Sequence, residues 1–264
     1  MDGRCDGRMI GRIRRNVQAD LLILGKDRIV QGTFVLIIIW IFFWMKRALY
    51  YAKGIQHDGG CYLNESYILL VQNTCIFLVM CGGKLGTQKK ELKTYCIRCV
   101  YEKRWITALC HLISLLLLAV EMLLLHWLIG TFCDLYLYKG AGLQWSTEEI
   151  AKMLCIVLGT VFWGWCAYLC ALLTESISIT VSLGMLMIVL QGFLSSLLDI
   201  NVLKWIPTWQ KNNMLCEFLN KKIYGEIVLT QFKFGNFGEG LCFTLVFVAA
   251  IGVISIWIEH NTEY

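Results

Sequence analysis

Six apolar stretches, residues 29–45, 66–83, 106–130, 150–173, 177–198 and 240–258, occupy nearly half of this 264-residue chain and constrain its fold more than any motif does. Each approaches the roughly 20 apolar residues that a helix needs to cross a bilayer. The rest of the composition agrees. Charged residues make up 16% of the chain, against about a quarter in soluble domains, hydrophobic residues make up 58%, and the mean hydropathy is +0.62. Inside a bilayer every backbone polar group must be satisfied within its own segment, so helices are the expected form. The predicted fold is therefore an all-α polytopic membrane protein, with six transmembrane helices in one domain covering residues 1–264. The first stretch, "TFVLIIIWIFFWM", is short. It needs Ile29 and Val30, or snorkelling by Lys46 and Arg47, to reach across.

The net charge of +5 would suit nucleic acid in a soluble protein. In a chain this apolar, Lys and Arg serve to orient spans, and no nucleic-acid partner is expected. Seven precede the first span and seven lie in 84–105, whereas five of the ten on the opposite side sit in the long loop 199–239, which carries less topological weight. This bias puts both termini inside. The first 28 residues are too long and irregular for a signal-peptide n-region, and no small-residue cleavage pattern follows, so the segment is expected to stay on the protein.

Three segments outside the spans carry pattern of their own. In the first, residues 8–28, Ile10, Ile13, Val17, Leu21 and Leu24 recur at helical spacing while Arg8, Arg12 and Arg15 turn away. That describes an amphipathic helix lying in the membrane interface against anionic lipid. In the second, "KLGTQKKELKTYCIRCVYEKRW" (84–105), basic residues surround Leu92, Tyr95, Cys99 and Tyr101, which predicts a short cytoplasmic helix in a loop. The third, "LKWIPTWQKNN" (203–213), holds the only proline of the chain. The residue before proline avoids helical backbone, and proline suits a helix's first turn, so the pattern predicts a broken helical pair between spans five and six. Trp205 and Trp209 would pin the break around Pro207 at the outer headgroup level.

Of the thirteen cysteines, Cys75, Cys81, Cys110, Cys155, Cys166, Cys170 and Cys242 lie in apolar runs and read as packing residues. Cys96 and Cys99 form a lone CxxC without the second ligand pair that a zinc site requires, so no metal is expected. Cys61, Cys133 and Cys216 fall in predicted outer loops, where a disulfide is chemically allowed. Within the spans, Glu121 stands in "LLLLAVEMLLLHW". Burying an ionisable group at that depth costs about 2.5–3.5 kcal/mol, so it should face a bundle interior or cavity, as a translocation-path or gating residue or bonded to a neighbour such as Gln191. His111 and His126 do not share a helical face with Glu121, which argues against a proton relay or metal site built from that span alone. Ala167 and Ala171, beside Cys166 and Cys170, form a small-xxx-small strip that permits close helix contact. One such seam among six spans leaves little room for a path within a subunit, so a dimer is expected.

An interfacial N-terminal helix, six spans with both ends inside, a basic helical loop and a broken outer pair together resemble the permease subunit of an ABC-2 type exporter. The motifs that carry the resemblance are "QADLLILGKDR" before span one, "GTQKKEL" (86–92) followed by Lys103-Arg104, and "WIPTW". Family members often have a Gly and a small residue just before the basic position, where this chain has Glu102-Lys103. The "ADLLILGKDR" segment is also similar to permeases of bacterial peptide-export and bacteriocin self-protection systems.

The resemblance implies a multi-pass protein of the bacterial plasma membrane. Loop 84–105, with Lys90, Leu92, Tyr95, Lys103 and Arg104, would press into a separate ATPase subunit. Glu121 and Gln191 would belong to the path, and Trp205, Pro207 and Trp209 to the outer re-entrant segment. A second permease, identical or a sister chain, and membrane lipids would be the other partners. ATP and Mg²⁺ would sit on the ATPase, and this chain would bind no cofactor. Independently, no GxxxxGK[ST] loop occurs, and "CGGKLG" (81–86) has the wrong spacing for one. Two rival classes stay open. An intramembrane enzyme would use Glu148-Glu149, a pair that resembles the diacidic motif of CAAX-type proteases, but the following arginine is missing, and neither HExxH nor GxSxG occurs. An accessory interaction protein would have no transport role.

Overall fold

The computed structural model describes residues 3–52, 61–91, 104–136, 147–186 and 237–261, all of them in helices or in the short joints between them. In chain order the helices are α1 (Gly3–Lys26), α2 (Arg28–Ala52), α3 (Cys61–Glu91), α4 (Arg104–Tyr136), α5 (Thr147–Thr174), α6 (Ile177–Leu186) and α7 (Phe237–Asn261). No strand occurs among the described residues. Arg104–Phe132 of α4 and Val157–Thr174 of α5 are long and apolar enough to cross a membrane.

The centre of the fold is the pair α3 and α5, which share the largest interface. Two glycines explain how close they come. A methyl group on Gly82 would lie 2.3 Å from the Gly164 carbonyl oxygen, and one on Gly86 would lie 2.5 Å from the Ala171 Cβ and 2.8 Å from the Tyr168 carbonyl oxygen. The spacing Gly82-xxx-Gly86 thus places bare backbone against Gly164, Ala167 and Ala171, the geometry that small residues allow between helices. The small strip of α5, expected to leave the path to a second subunit, is therefore consumed inside the chain. Leu78, Cys81, Leu85, Leu115, Tyr168 and Leu172 close a buried core around this seam, joined by Leu112, Ala119 and Met122 of α4 and Val248 of α7. The Trp165 indole donates to the Leu112 carbonyl at 3.2 Å and tightens α5 onto α4.

The joints follow from local chemistry. At Asp27 one residue separates α1 from α2, and its carboxylate Oδ1 accepts the amides of Ile29 at 2.9 Å and Val30 at 3.2 Å, capping α2. At the other joint Glu175 takes a φ of 51°, the left-handed form common just past a helix end. The Ser176 hydroxyl then accepts the Ile179 amide at 3.4 Å, opening α6.

Three local expectations change. Residues 84–91 are not loop but the last turns of α3, with Leu85, Thr87 and Gln88 buried; the apolar row continues past Gly83 because Gly86 and Leu85 still face α5. Cys61 begins α3 and Cys133 lies within α4, so neither is in a loop, while Cys216 lies outside the described residues. Among the apolar-run cysteines, Cys75, Cys81 and Cys110 are buried, Cys166 and Cys170 half-buried, and Cys242 is exposed.

Candidate functional site

Most of the buried polar groups of the described residues, though not Asn73, Thr74, His126 and Thr160, lie where α3, α5 and α7 end and α4 begins. α1 reaches this end because its apolar row finds a partner within the chain. Val17 packs on Ile106 and Cys110 of α4, flanked by Ile13, Leu21, Trp105 and Ile113, while Ile10 at the start of the row stays exposed. Arg12, Arg14 and Arg15 face outward.

Asp20 sits on the packed face, three residues after Val17 and four before the buried Leu24, and is itself fully buried. Its Oδ2 lies 2.9 Å from His111 Nδ1. An ionised carboxylate accepts only, so with Asp20 in that form Nδ1 carries the hydrogen. The Ser114 hydroxyl stands 3.3 Å from the same oxygen and 2.8 Å from the Cys110 carbonyl, and its one hydrogen serves one or the other. The second ring nitrogen of His111, Nε2, is buried with no hydrogen-bond partner among the described residues. The imidazole packs tilted on the Tyr168 ring, with centroids 5.5 Å apart. Tyr168 donates through its hydroxyl to Glu259 Oε2 at 3.1 Å. A buried row of contacts therefore runs from α1 through α4 and α5 to α7, with hydrogen bonds at its two ends and a ring-on-ring contact between His111 and Tyr168 in the middle.

A second tie lies at the α1–α2 joint. The Asp27 Oδ2 meets Lys84 Nζ at 3.0 Å, with both side chains mostly buried. Burial alone would raise the Asp27 carboxyl, but the Lys84 ammonium and the amides of Val30 and Ile29 outweigh it and hold the carboxyl below its usual value. Gln31 donates to the Gly25 carbonyl at 2.6 Å, satisfying an acceptor that the end of α1 leaves open.

The residues singled out from sequence are not brought together here. Glu121 is exposed on the outer side of α4, whereas His111 and His126 are buried, so the three do not share a face. Arg104 opens α4 and is half-buried, and Lys90 lies in the last turn of α3. Leu92, Tyr95, Lys103, Gln191, Trp205, Pro207 and Trp209 lie outside the described residues. Among the described residues no cluster of three or more His, Cys, Asp or Glu side chains could hold a metal ion.

Sequence reasoning passed over Asp20, Ser114, Tyr168 and Glu259, and weighed His111 only against its own helix. One signal was present: a carboxylate at position 20 interrupts the row Ile13, Val17, Leu24, and a charge on an apolar face needs a partner. No protein-family model matches the chain, and no curated protein matches it.

Proposed function

We propose that this chain is the membrane-spanning permease subunit of an ATP-driven ABC-2 type exporter of the bacterial plasma membrane. It would have six spans with both termini inside, and would work with a second permease and separate ATPase subunits. The observation that carries this reading is how the basic segment is mounted. Its first part is the last turns of α3, buried through Gln88, its last basic residue Arg104 opens α4, and the two helices are tied to the joint after α1 through Lys84–Asp27 and to α1 itself through His111–Asp20. A load applied at Leu92, Tyr95 and Lys103 would reach three helices at once, as coupling to an ATPase requires.

The length of the helices favours the same arrangement. α3 has 31 residues, so at ~1.5 Å per residue it outreaches a hydrocarbon layer of ~30 Å and brings Lys89 and Lys90 beyond it. The exposed arginines of α1 suit the same anionic surface. The cargo would be amphipathic or peptide-like and move outward, with Glu121 and Gln191 along a path between subunits and the Trp205–Pro207–Trp209 segment at its outer end.

The test is a pull-down of the tagged protein from its native membrane in mild detergent, comparing wild type with Lys90→Glu, Lys103→Glu. Recovery of an ATP-binding subunit that the charge reversal releases supports the permease. An intact complex with no ATPase sinks it and selects the second reading, a membrane-embedded accessory protein. That reading is favoured by the exposure of Glu121 on an outer face of α4 beside Leu117, Leu124 and Leu128.

A further inference from the structure

Thr107 Oγ1 and His111 Nε2 on α4 and Ser255 Oγ on α7 are buried with no hydrogen-bond partner among the described residues. A hydroxyl inside a helix has a ready acceptor in the carbonyl one turn back, and Thr33, Thr87, Thr131 and Thr174 all use it. Thr107 and Ser255 do not. Thr107 stands one turn before His111, and Ser255 one turn before Glu259, so each pair shares a helix face. Tyr168 touches both faces: its ring lies 5.5 Å from that of His111, and its hydroxyl donates to Glu259 at 3.1 Å. Sealing a polar atom away from water without a partner costs roughly a five- to hundred-fold factor in the equilibrium that seals it. The closed packing around Tyr168 carries that cost at each of the three atoms.

The end of α7 is seated in keeping with this. From Gly252 to Asn261 the buried positions are Gly252, Ser255 and Glu259, at steps of three and four, while Val253, Ile254 and Trp257 face outward. No large apolar side chain of these turns is fully buried, whereas Val248, one turn earlier, belongs to the core. A methyl group on Gly252 would lie 2.8 Å from Trp165 Cζ3, so α7 approaches α5 closely here. At ~1.5 Å per residue, Ser255 is ~9 Å from the last residue of α7 and Thr107 ~5 Å from the first of α4. Water at the end of the bundle is therefore a short step from both hydroxyls.

We infer that the last turns of α7, Gly252–Asn261, are a latch with two positions. In the closed position, the one in this structure, the Tyr168 hydroxyl holds Glu259 and the three atoms are dry. In the open position these turns bend away at Gly252, a small residue of the kind that absorbs a hinge, and water reaches Ser255, Thr107 and the free nitrogen of His111. Closure forms one hydrogen bond to a carboxylate and strips water from two hydroxyls and a ring nitrogen, so gain and cost are of similar size and both positions are populated. The ring that holds Glu259 also packs on His111, which is bonded to Asp20, so Tyr168 joins the latch to the seat of α1. The inference rests on the packing of α4, α5 and α7 and is independent of the exporter reading.

The experiment places a thiol inside the latch of the full-length protein, by Ser255→Cys, in liposomes. A small water-soluble maleimide is added, and labelling is followed peptide by peptide by mass spectrometry, with the buried native Cys81 of the α3 core as the measure of general unfolding. The thiol at position 255 should react while Cys81 stays protected. Adding Tyr168→Phe, which removes the tie to Glu259, should speed labelling roughly ten-fold, the order that a hydrogen bond to a charged group supplies. Adding Thr107→Val, which keeps the shape and removes an unbonded hydroxyl, should slow it roughly five-fold. Thr107 lies on another helix, so neither fraying of α7 nor its helix propensity would produce that response. If Tyr168→Phe exposes Cys81 as well, Glu259→Gln takes its place and should speed labelling with Cys81 still protected. A thiol at position 255 as unreactive as Cys81, labelling unchanged by loss of the Tyr168–Glu259 bond, or faster labelling with Thr107→Val would each overturn the inference. Recovery or absence of an ATPase in the pull-down bears on none of these outcomes.

Discussion

Gly82→Ala is the sharpest test of how this bundle is held. The new methyl would stand 2.3 Å from the Gly164 carbonyl oxygen and 3.1 Å from the Tyr168 nitrogen, where ordinary contact begins at 3.4 Å. Both obstacles are backbone, so no rotamer relieves the clash, and α3 and α5 must part by about 1 Å. A gap of that size forfeits a quarter to a half of each dispersion contact along the seam. Overpacking of this kind costs ~1–3 kcal/mol. Against it stands the ~0.5–1 kcal/mol that Ala gains over Gly inside a helix.

The expected net loss is ~1 kcal/mol, a factor of roughly 5 in the folded-to-unfolded ratio. Reversible unfolding by sodium dodecyl sulfate in mixed micelles measures it. Gly83→Ala is the control on the same helix, because its methyl would meet nothing nearer than Thr180 Cγ2 at 3.4 Å, an ordinary contact. On α2, Gly32→Ala has nothing within 4 Å and should stabilise slightly. For Gly86→Ala, adding Ala171→Gly should recover part of the loss, since the nearest obstacle is that Cβ. If Gly82→Ala unfolds within ~0.5 kcal/mol of Gly83→Ala, a difference typical of neutral surface changes, the close seam is wrong.

Two further outcomes concern the ties of α1. Because the Asp27 carboxyl is lowered in the folded protein, its contribution is full above the ordinary carboxylate value of 3.8 and is lost as pH falls through the lowered folded value. An unfolding series from neutral to acid pH should show that loss in wild type and a smaller one in Lys84→Met, while Asp27→Asn keeps the α2 cap but should show no such step. Asp20→Ala leaves His111 buried without its acceptor and should cost about 1–3 kcal/mol, the penalty for an unsatisfied buried donor. Asp20→Ala with His111→Leu should restore much of it, and protease cleavage within α1 would report detachment of that helix. A single variant as stable as wild type would mean that Asp20 and His111 are not coupled.

The helical class, the apolar stretches and the amphipathic character of α1 were legible from residue order, because hydropathy and helical periodicity act along one segment at a time. Glu121 could be singled out for the same reason, since its sequence neighbours alone make it anomalous. The neighbours of each face were not legible. Ala167 and Ala171 announced a close contact, but only the fold gave them Gly82, at the end of a predicted span, and Gly86, from a stretch that composition presented as the start of a basic loop. Asp20 and His111 are separated by 91 residues, and Tyr168 and Glu259 by another 91. No local pattern links such pairs; they become partners when packing removes water and leaves each buried polar group only the other to bond with. Sequence therefore determined which segments must be helices shielded from water, and tertiary structure decided which faces close on one another and which, like the Glu121 face of α4, stay open, because burial is a property of the assembled surface.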